Sequence, residues 1–152
     1  MIIIGIDPGQ SGGIAWTDTE TQQAPLAVKM PATPRDFAEF MSDVADGSSN
    51  VMAYIERVGP MPKQGVVSVW TFANTFWVPQ WALAAMGIGC DLVRPQVWQK
   101  ALGCLTGGDK NVSKAKAQQL WPGENWIHAT ADAALICEYG RRQHLPVCEV
   151  GT

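Results

Sequence analysis

No Cys-x-x-Cys pair occurs in this chain of 152 residues, and only two histidines are present. That argues against a zinc site, and the four cysteines (Cys90, Cys104, Cys137 and Cys148) read as reduced, mostly buried thiols. No apolar run is long enough for a membrane span. The longest, Trp81 to Ile88, follows Pro79 and Gln80 and falls short of the roughly 20 residues required. The start lacks a basic n-region and has few apolar residues before Asp7, so no secretory signal is expected and the cytoplasm is the default location. Neither an internal repeat nor a low-complexity segment is found. A net charge of −3 gives no overall attraction for nucleic acid.

What is present is a chain 47% hydrophobic, of a length that fits one domain with its own core, residues 1–152, with 144–152 read as a tail. Charge is unevenly placed. From Asp18 to Asp46 six acids face two bases, whereas from Arg57 to Lys116 seven bases face two acids. A basic face inside an acidic total is therefore available for a polyanion.

The opening MIIIGIDPGQSGGIAW organises the rest. Ile2-Ile3-Ile4 is apolar without alternation, as in a strand buried on both faces. It ends at Asp7 in a Pro8-Gly9 turn, and Gly13 to Trp16 can fold back beside it. Pro25 to Met30 reads as a third strand. Thr33 is placed to cap a helix from Pro34 to Val44, with Phe37, Phe40, Met41 and Val44 as its apolar stripe. Val51 to Glu56 is a fourth strand, again ending in a carboxylate. A long helix from Val66 to Met86 carries bulky residues on several sides and Pro79 as an expected kink. Cys90 to Arg94 is a fifth strand and Pro95 to Leu102 a short helix. Ser113 is expected to cap a helix from Lys114 to Trp121, and a last helix is expected from Trp126 to Arg142. Strands four and five return through helices and should lie parallel to strand one.

That order places Asp7 and Glu56 at the same sheet edge, on backbones about 4.8 Å apart. Asp132 interrupts the apolar stretch Ala131–Ile136 and is the third candidate acid, with His128 one helical turn before it. Three gathered carboxylates repel one another unless a cation joins them, and an oxygen-rich set suits Mg²⁺ or Mn²⁺. Each residue alone also has an ordinary reading. Asp7 can stabilise its own turn, Glu56 can be a solvated strand end, and Asp132 can interact with a helix N-terminus. His128 can be an ordinary histidine and Lys110, Lys114 and Lys116 a solvated face. The aromatics from Trp70 to Trp81 read first as core or subunit interface.

Four segments carry a resemblance: GIDPGQSGGIAW at Gly5–Trp16, YIERVGPMPKQGV at Tyr54–Val66, RPQVWQKALG at Arg94–Gly103 and ADAALICEYGRR at Ala131–Arg142. In this order the chain resembles the RuvC-type Holliday-junction resolvases of the ribonuclease-H-like superfamily, most closely the small phage-borne members. The resemblance implies an α/β fold with a five-stranded mixed sheet, order 3-2-1-4-5, and helices on both faces. It implies a homodimer through the helix from Val66 to Met86, acting on four-way and related branched DNA by Mg²⁺-dependent hydrolysis, with Mn²⁺ as a substitute and two ions per site. Asp7, Glu56 and Asp132 take the positions of the metal-binding acids. His128 stands where many relatives have another Asp, which leaves the second ion open. Arg57, Lys63, Gln64, Lys110, Lys114 and Lys116 are the expected DNA contacts. Three other readings stay open: a junction-binding module without catalysis, a nuclease of the same fold acting on RNA or flaps, and a phosphotransferase sharing the Asp-x-Gly loop, for which the chain is short.

Overall fold

A computed structural model describes residues 1–46, 48–59 and 65–145. In chain order the elements are β1 (Ile2–Asp7), β2 (Gly13–Asp18), β3 (Leu26–Lys29), α1 (Pro34–Ala45), β4 (Val51–Glu56), α2 (Val66–Ala85), β5 (Gly89–Val93), α3 (Pro95–Leu102), α4 (Lys110–Leu120) and α5 (His128–His144). One sheet has the order β3-β2-β1-β4-β5. The hairpin strands β2 and β3 pair antiparallel, β1 and β2 likewise, while β4 lies parallel to both β1 and β5.

The unalternating apolar run of β1 is explained by cover on both sheet faces. Ile4 and Ile6 point into a cluster with Phe37 and Met41 of α1 and Leu83 of α2. Ile3 points the other way, into a cluster built largely from α5. All three isoleucines are completely buried. The cap of α1 is as expected: the Thr33 hydroxyl accepts from the Asp36 N–H, and the Asp36 carboxylate accepts from the Thr33 N–H.

α5 lies unusually close on the sheet because two glycines make room. A Cβ on Gly5 would collide with the α5 backbone at Ala133 and Cys137, and one on Gly140 would enter the Tyr54 ring. The contacts also fix direction. Gly140 sits over Tyr54 and Ile3, Ala133 and Cys137 over Gly5, and Ala129 over Gly13, which pairs with Asp7. α5 therefore runs against β1, with its N-terminal turns at the Asp7 end.

Several boundaries differ from the sequence expectation. α4 starts at Lys110 and is capped by Asp109, whose carboxylate accepts from the Asn111 N–H. Ser113 lies inside α4, buried, and donates to the Lys110 carbonyl at 3.1 Å. Asp109 is as good a cap as Ser113 and comes first in the chain. α5 begins at His128, two residues later than expected, and runs through His144, which the sequence assigns to the tail. The His144 Nε2 and the Tyr54 hydroxyl are 2.9 Å apart, which ties down that last turn. β5 starts one residue earlier, at Gly89, and ends at Val93. Among the described residues no helix is long and apolar enough to cross a membrane.

Candidate active site

β1 and β4 run side by side in register, Ile6 opposite Ile55, so the next residues along are Asp7 and Glu56. Sheet pairing alone brings these two carboxylates to one edge. β4 is held to β5 beyond its last residue, where the Arg57 N–H donates to the Val93 carbonyl at 2.7 Å. Asp132 arrives from α5, which covers the sheet face that Ile3, Gly5 and Tyr54 present. It sits one residue before Ala133, on the turn of α5 that passes between Gly5 and Gly13.

The electrostatics link Asp7 to both other acids and Glu56 to Asp132. The Asp7 carboxyl is pushed up to about 8, first by burial and then by the charges of Glu56 and Asp132. Glu56 is raised by burial and by Asp132, against the pull of a hydrogen bond from Trp98. Asp132 is raised by burial and drawn back by the Ser113 hydroxyl and by the charges of Lys110 and His128. Lys110 lowers all three. It is the first residue of α4, so the early start of that helix delivers a cation to the site.

The donor set fits a hard divalent ion. Asp132 Oδ1 is buried with no hydrogen-bond partner, a costly arrangement for a carboxylate oxygen unless positive charge meets it. Asp7 and Glu56 line one cleft, and the charge of Asp132 reaches both. Among the described residues no three His, Cys, Asp or Glu side chains are drawn in tightly enough to enclose an ion.

A cleft of about 550 Å³ opens above these acids, lined by Asp7, Glu56, Arg57, Phe72, Arg94 and Lys110 among others. Of the expected DNA contacts, the structure brings Arg57 and Lys110 to this cleft. Lys114 and Lys116 lie further along α4, outside the cleft lining, and the Lys116 ammonium donates to Gln119 Oε1 at 3.3 Å. Lys63 and Gln64 lie outside the described residues. His128 is exposed at the start of α5, one turn before Asp132 and on its side of the helix. Sequence reasoning missed Arg94, Phe72 and Trp98. Arg94 directly follows the last residue of β5, one strand over from Glu56, and was legible as a base at a parallel strand end.

α2 exposes Val66, Trp70, Trp77 and Trp81 while burying Pro79 and Leu83. These four, which Val67 flanks as a further exposed apolar residue, recur at intervals of four, seven and four and form one stripe along the outer face. They are not core, which corrects half of the alternative drawn from the sequence. The helix continues through Pro79, and the Gln80 side-chain amide donates to the Phe76 carbonyl at 2.9 Å.

No protein-family model and no curated protein matches the sequence. Solved structures do match. The chain superposes on Thermus thermophilus RuvC in complex with a Holliday junction substrate with a TM-score of 0.61, over 95% of this chain and 96% of that one. The fold is that of RuvC. Identity to that RuvC chain is 14%, and a second Thermus thermophilus RuvC structure aligns at 16% identity with a TM-score of 0.56, over 94% of this chain and 96% of the other. The RuvC likeness extends over nearly the full length of both chains, so the sheet order and the placement of α5 belong to one shared ribonuclease-H-like architecture.

Proposed function

We propose that this chain is a structure-selective endodeoxyribonuclease that resolves four-way and related branched DNA junctions. One observation carries the reading: Asp7 and Glu56 end adjacent parallel strands at one cleft, and the charge of Asp132 from α5 reaches both of them, in a fold shared with RuvC, one of whose structures holds a Holliday junction. Asp7, Glu56 and Asp132, with His128 beside them, would hold Mg²⁺, or Mn²⁺ in its place, two ions per site, and these would supply the Lewis acidity that phosphodiester hydrolysis needs at neutral pH.

The chain's own residues do the rest. Asp7, whose carboxyl is pushed up to about 8 by burial first and by Glu56 and Asp132 after it, gives up its proton more readily when positive charge stands beside it. Lys110, Arg57 and Arg94 border the cleft and attract the phosphate backbone, so that binding weakens steeply with salt. Lys114 and Lys116 extend that basic ground along α4, and Lys63 and Gln64 belong to the segment that follows Arg57 in sequence.

The outer stripe of α2 supports a homodimer. Trp70 and Trp81 are 71% and 72% exposed, more bare indole than a lone domain ordinarily carries. Pairing two copies through α2 covers the stripe and gives one site for each of two strands of a junction. A cytoplasmic location follows for an enzyme acting on intracellular DNA. The resemblance to phage-borne members adds that this cytoplasm is the host's.

The test is incubation with four-way, three-way, flap and linear duplex DNAs, with and without Mg²⁺ and Mn²⁺. Cation-dependent nicking with preference for the four-way junction is expected. Binding without nicking would favour a module without catalysis, and cleavage confined to flaps or RNA hybrids would assign the fold to another substrate.

A further inference from the structure

Trp98 is a core residue of α3 by burial, 1% exposed and surrounded by the α5-side cluster that includes Leu102, Cys104 and Ala117. Its indole Nε1–H nevertheless donates to Glu56 Oε1 at 2.9 Å. A buried indole N–H must find an acceptor, and a backbone carbonyl is the ordinary one. Trp126, the other buried tryptophan, does this with the Trp121 carbonyl at 3.3 Å. Trp98 instead spends its single donor on one oxygen of a carboxylate at the cleft.

The placement is built from chain order. β5 ends at Val93, tied to Arg57 just past Glu56. Pro95 opens α3, and the first turn of that helix returns Trp98 to the tip of β4. The ring is locked in packed core, so the donor has little freedom to follow a moving carboxylate. An ionised carboxylate accepts such a bond more strongly than a neutral one, in keeping with the downward pull of Trp98 on the Glu56 pKa.

We infer that Trp98 is a positioning residue for Glu56: its indole fixes the carboxylate by one oxygen and leaves the other directed to a divalent cation. This rests on the reading of Asp7, Glu56 and Asp132 as the cation-binding acids. A donor behind a metal-binding carboxylate fixes the ligand's orientation, and loss of such a partner typically lowers metal affinity about 10–100-fold.

The experiment uses Trp98→Phe, which keeps most of the ring volume and removes the N–H. Mn²⁺ binding is measured by calorimetry, without DNA, on the wild type and the variant. The variant should bind Mn²⁺ at least about tenfold more weakly. On a four-way junction it should show reduced kcat at limiting Mn²⁺ with unchanged KM for DNA, and saturating Mn²⁺ should restore most of the rate. A purely structural tryptophan would lower thermal stability without that rescue. Should Trp98→Phe not fold, the wild type alone decides: the ¹H–¹⁵N indole signal of Trp98 should move as Mg²⁺ is added, whereas the Trp126 signal should not. Equal Mn²⁺ affinity in the folded variant, or a Trp98 indole signal indifferent to Mg²⁺, overturns the inference. A wild type that binds Mn²⁺ but nicks no branched DNA overturns the proposed function instead and leaves the affinity comparison decisive for Trp98.

Discussion

Asp7 and Glu56 end adjacent parallel strands, one step beyond the Ile6–Ile55 pair. Their proximity is fixed by backbone hydrogen bonding and owes nothing to attraction between the side chains. The sheet holds two carboxyls together at a buried edge, and the cost, from burial first and from the Glu56 charge after it, appears in the pKa of Asp7.

That cost should be visible as a pH dependence of stability. The Asp7 carboxyl keeps its proton to about pH 8 in the folded chain, against an ordinary value of 3.8. Between those values the folded state binds more protons than the unfolded one, so its stability falls as pH rises through the window. In chelator-treated buffer the wild-type Tm should therefore decline from about pH 4 to about pH 8 relative to Asp7→Asn. A difference between the two that grows in favour of the wild type with rising pH contradicts this origin.

The two strand-end acids were legible because period and punctuation determine where a buried strand stops. The apolar run into Asp7, the Pro8-Gly9 turn and the apolar run into Glu56 each say where the chain turns, and the sheet order follows from the crossovers. The α4 boundary was not legible, because Asp109 and Ser113 cap equally well and only burial of Ser113 distinguishes them. Lys110 is legible as a base, but its closeness to all three acids follows from that boundary. Trp98 was hidden for another reason. Its helix reads as amphipathic and its ring as core, and no pattern in sequence shows which acceptor a buried indole will find. The exposed stripe of α2 was ambiguous for a third reason: an interface and a core draw on the same residues.

Gly5 should tolerate no side chain. Gly5→Val drives a branched side chain into the α5 backbone at Ala133 and Cys137, neither of which can rotate away. Overpacking of this kind costs about 1–3 kcal/mol or more. Thermal unfolding should show a drop of several degrees, and nicking should fall further than stability explains, because α5 carries Asp132.

Removing Lys110, one of the three basic side chains that line the cleft, should weaken DNA binding without regard to sequence. For Lys110→Gln, affinity for a four-way junction should fall and the slope of log K against log salt should shrink by about 1. The same change at Lys116, which lies outside the cleft lining, should have a smaller effect. Fluorescence anisotropy across a salt series compares both variants with the wild type, and a Lys110→Gln slope equal to the wild-type slope would remove Lys110 from the interface.

The α2 stripe predicts assembly. Trp70→Ser combined with Trp81→Ser removes two exposed indoles from one helix face. Sedimentation velocity should find dimers of the wild type and a dissociation midpoint at least about tenfold higher in the variant, since interface tryptophans carry a large share of association energy. A wild type monomeric at all concentrations would contradict the stripe's assignment.

The most direct measurement compares wild type and Asp7→Asn on a synthetic four-way junction, reading binding in chelator and nicking in Mg²⁺ from the same samples. The two proteins should bind with similar affinity, while nicking by Asp7→Asn falls by at least about a thousandfold. Undiminished nicking by Asp7→Asn would contradict the account at its centre.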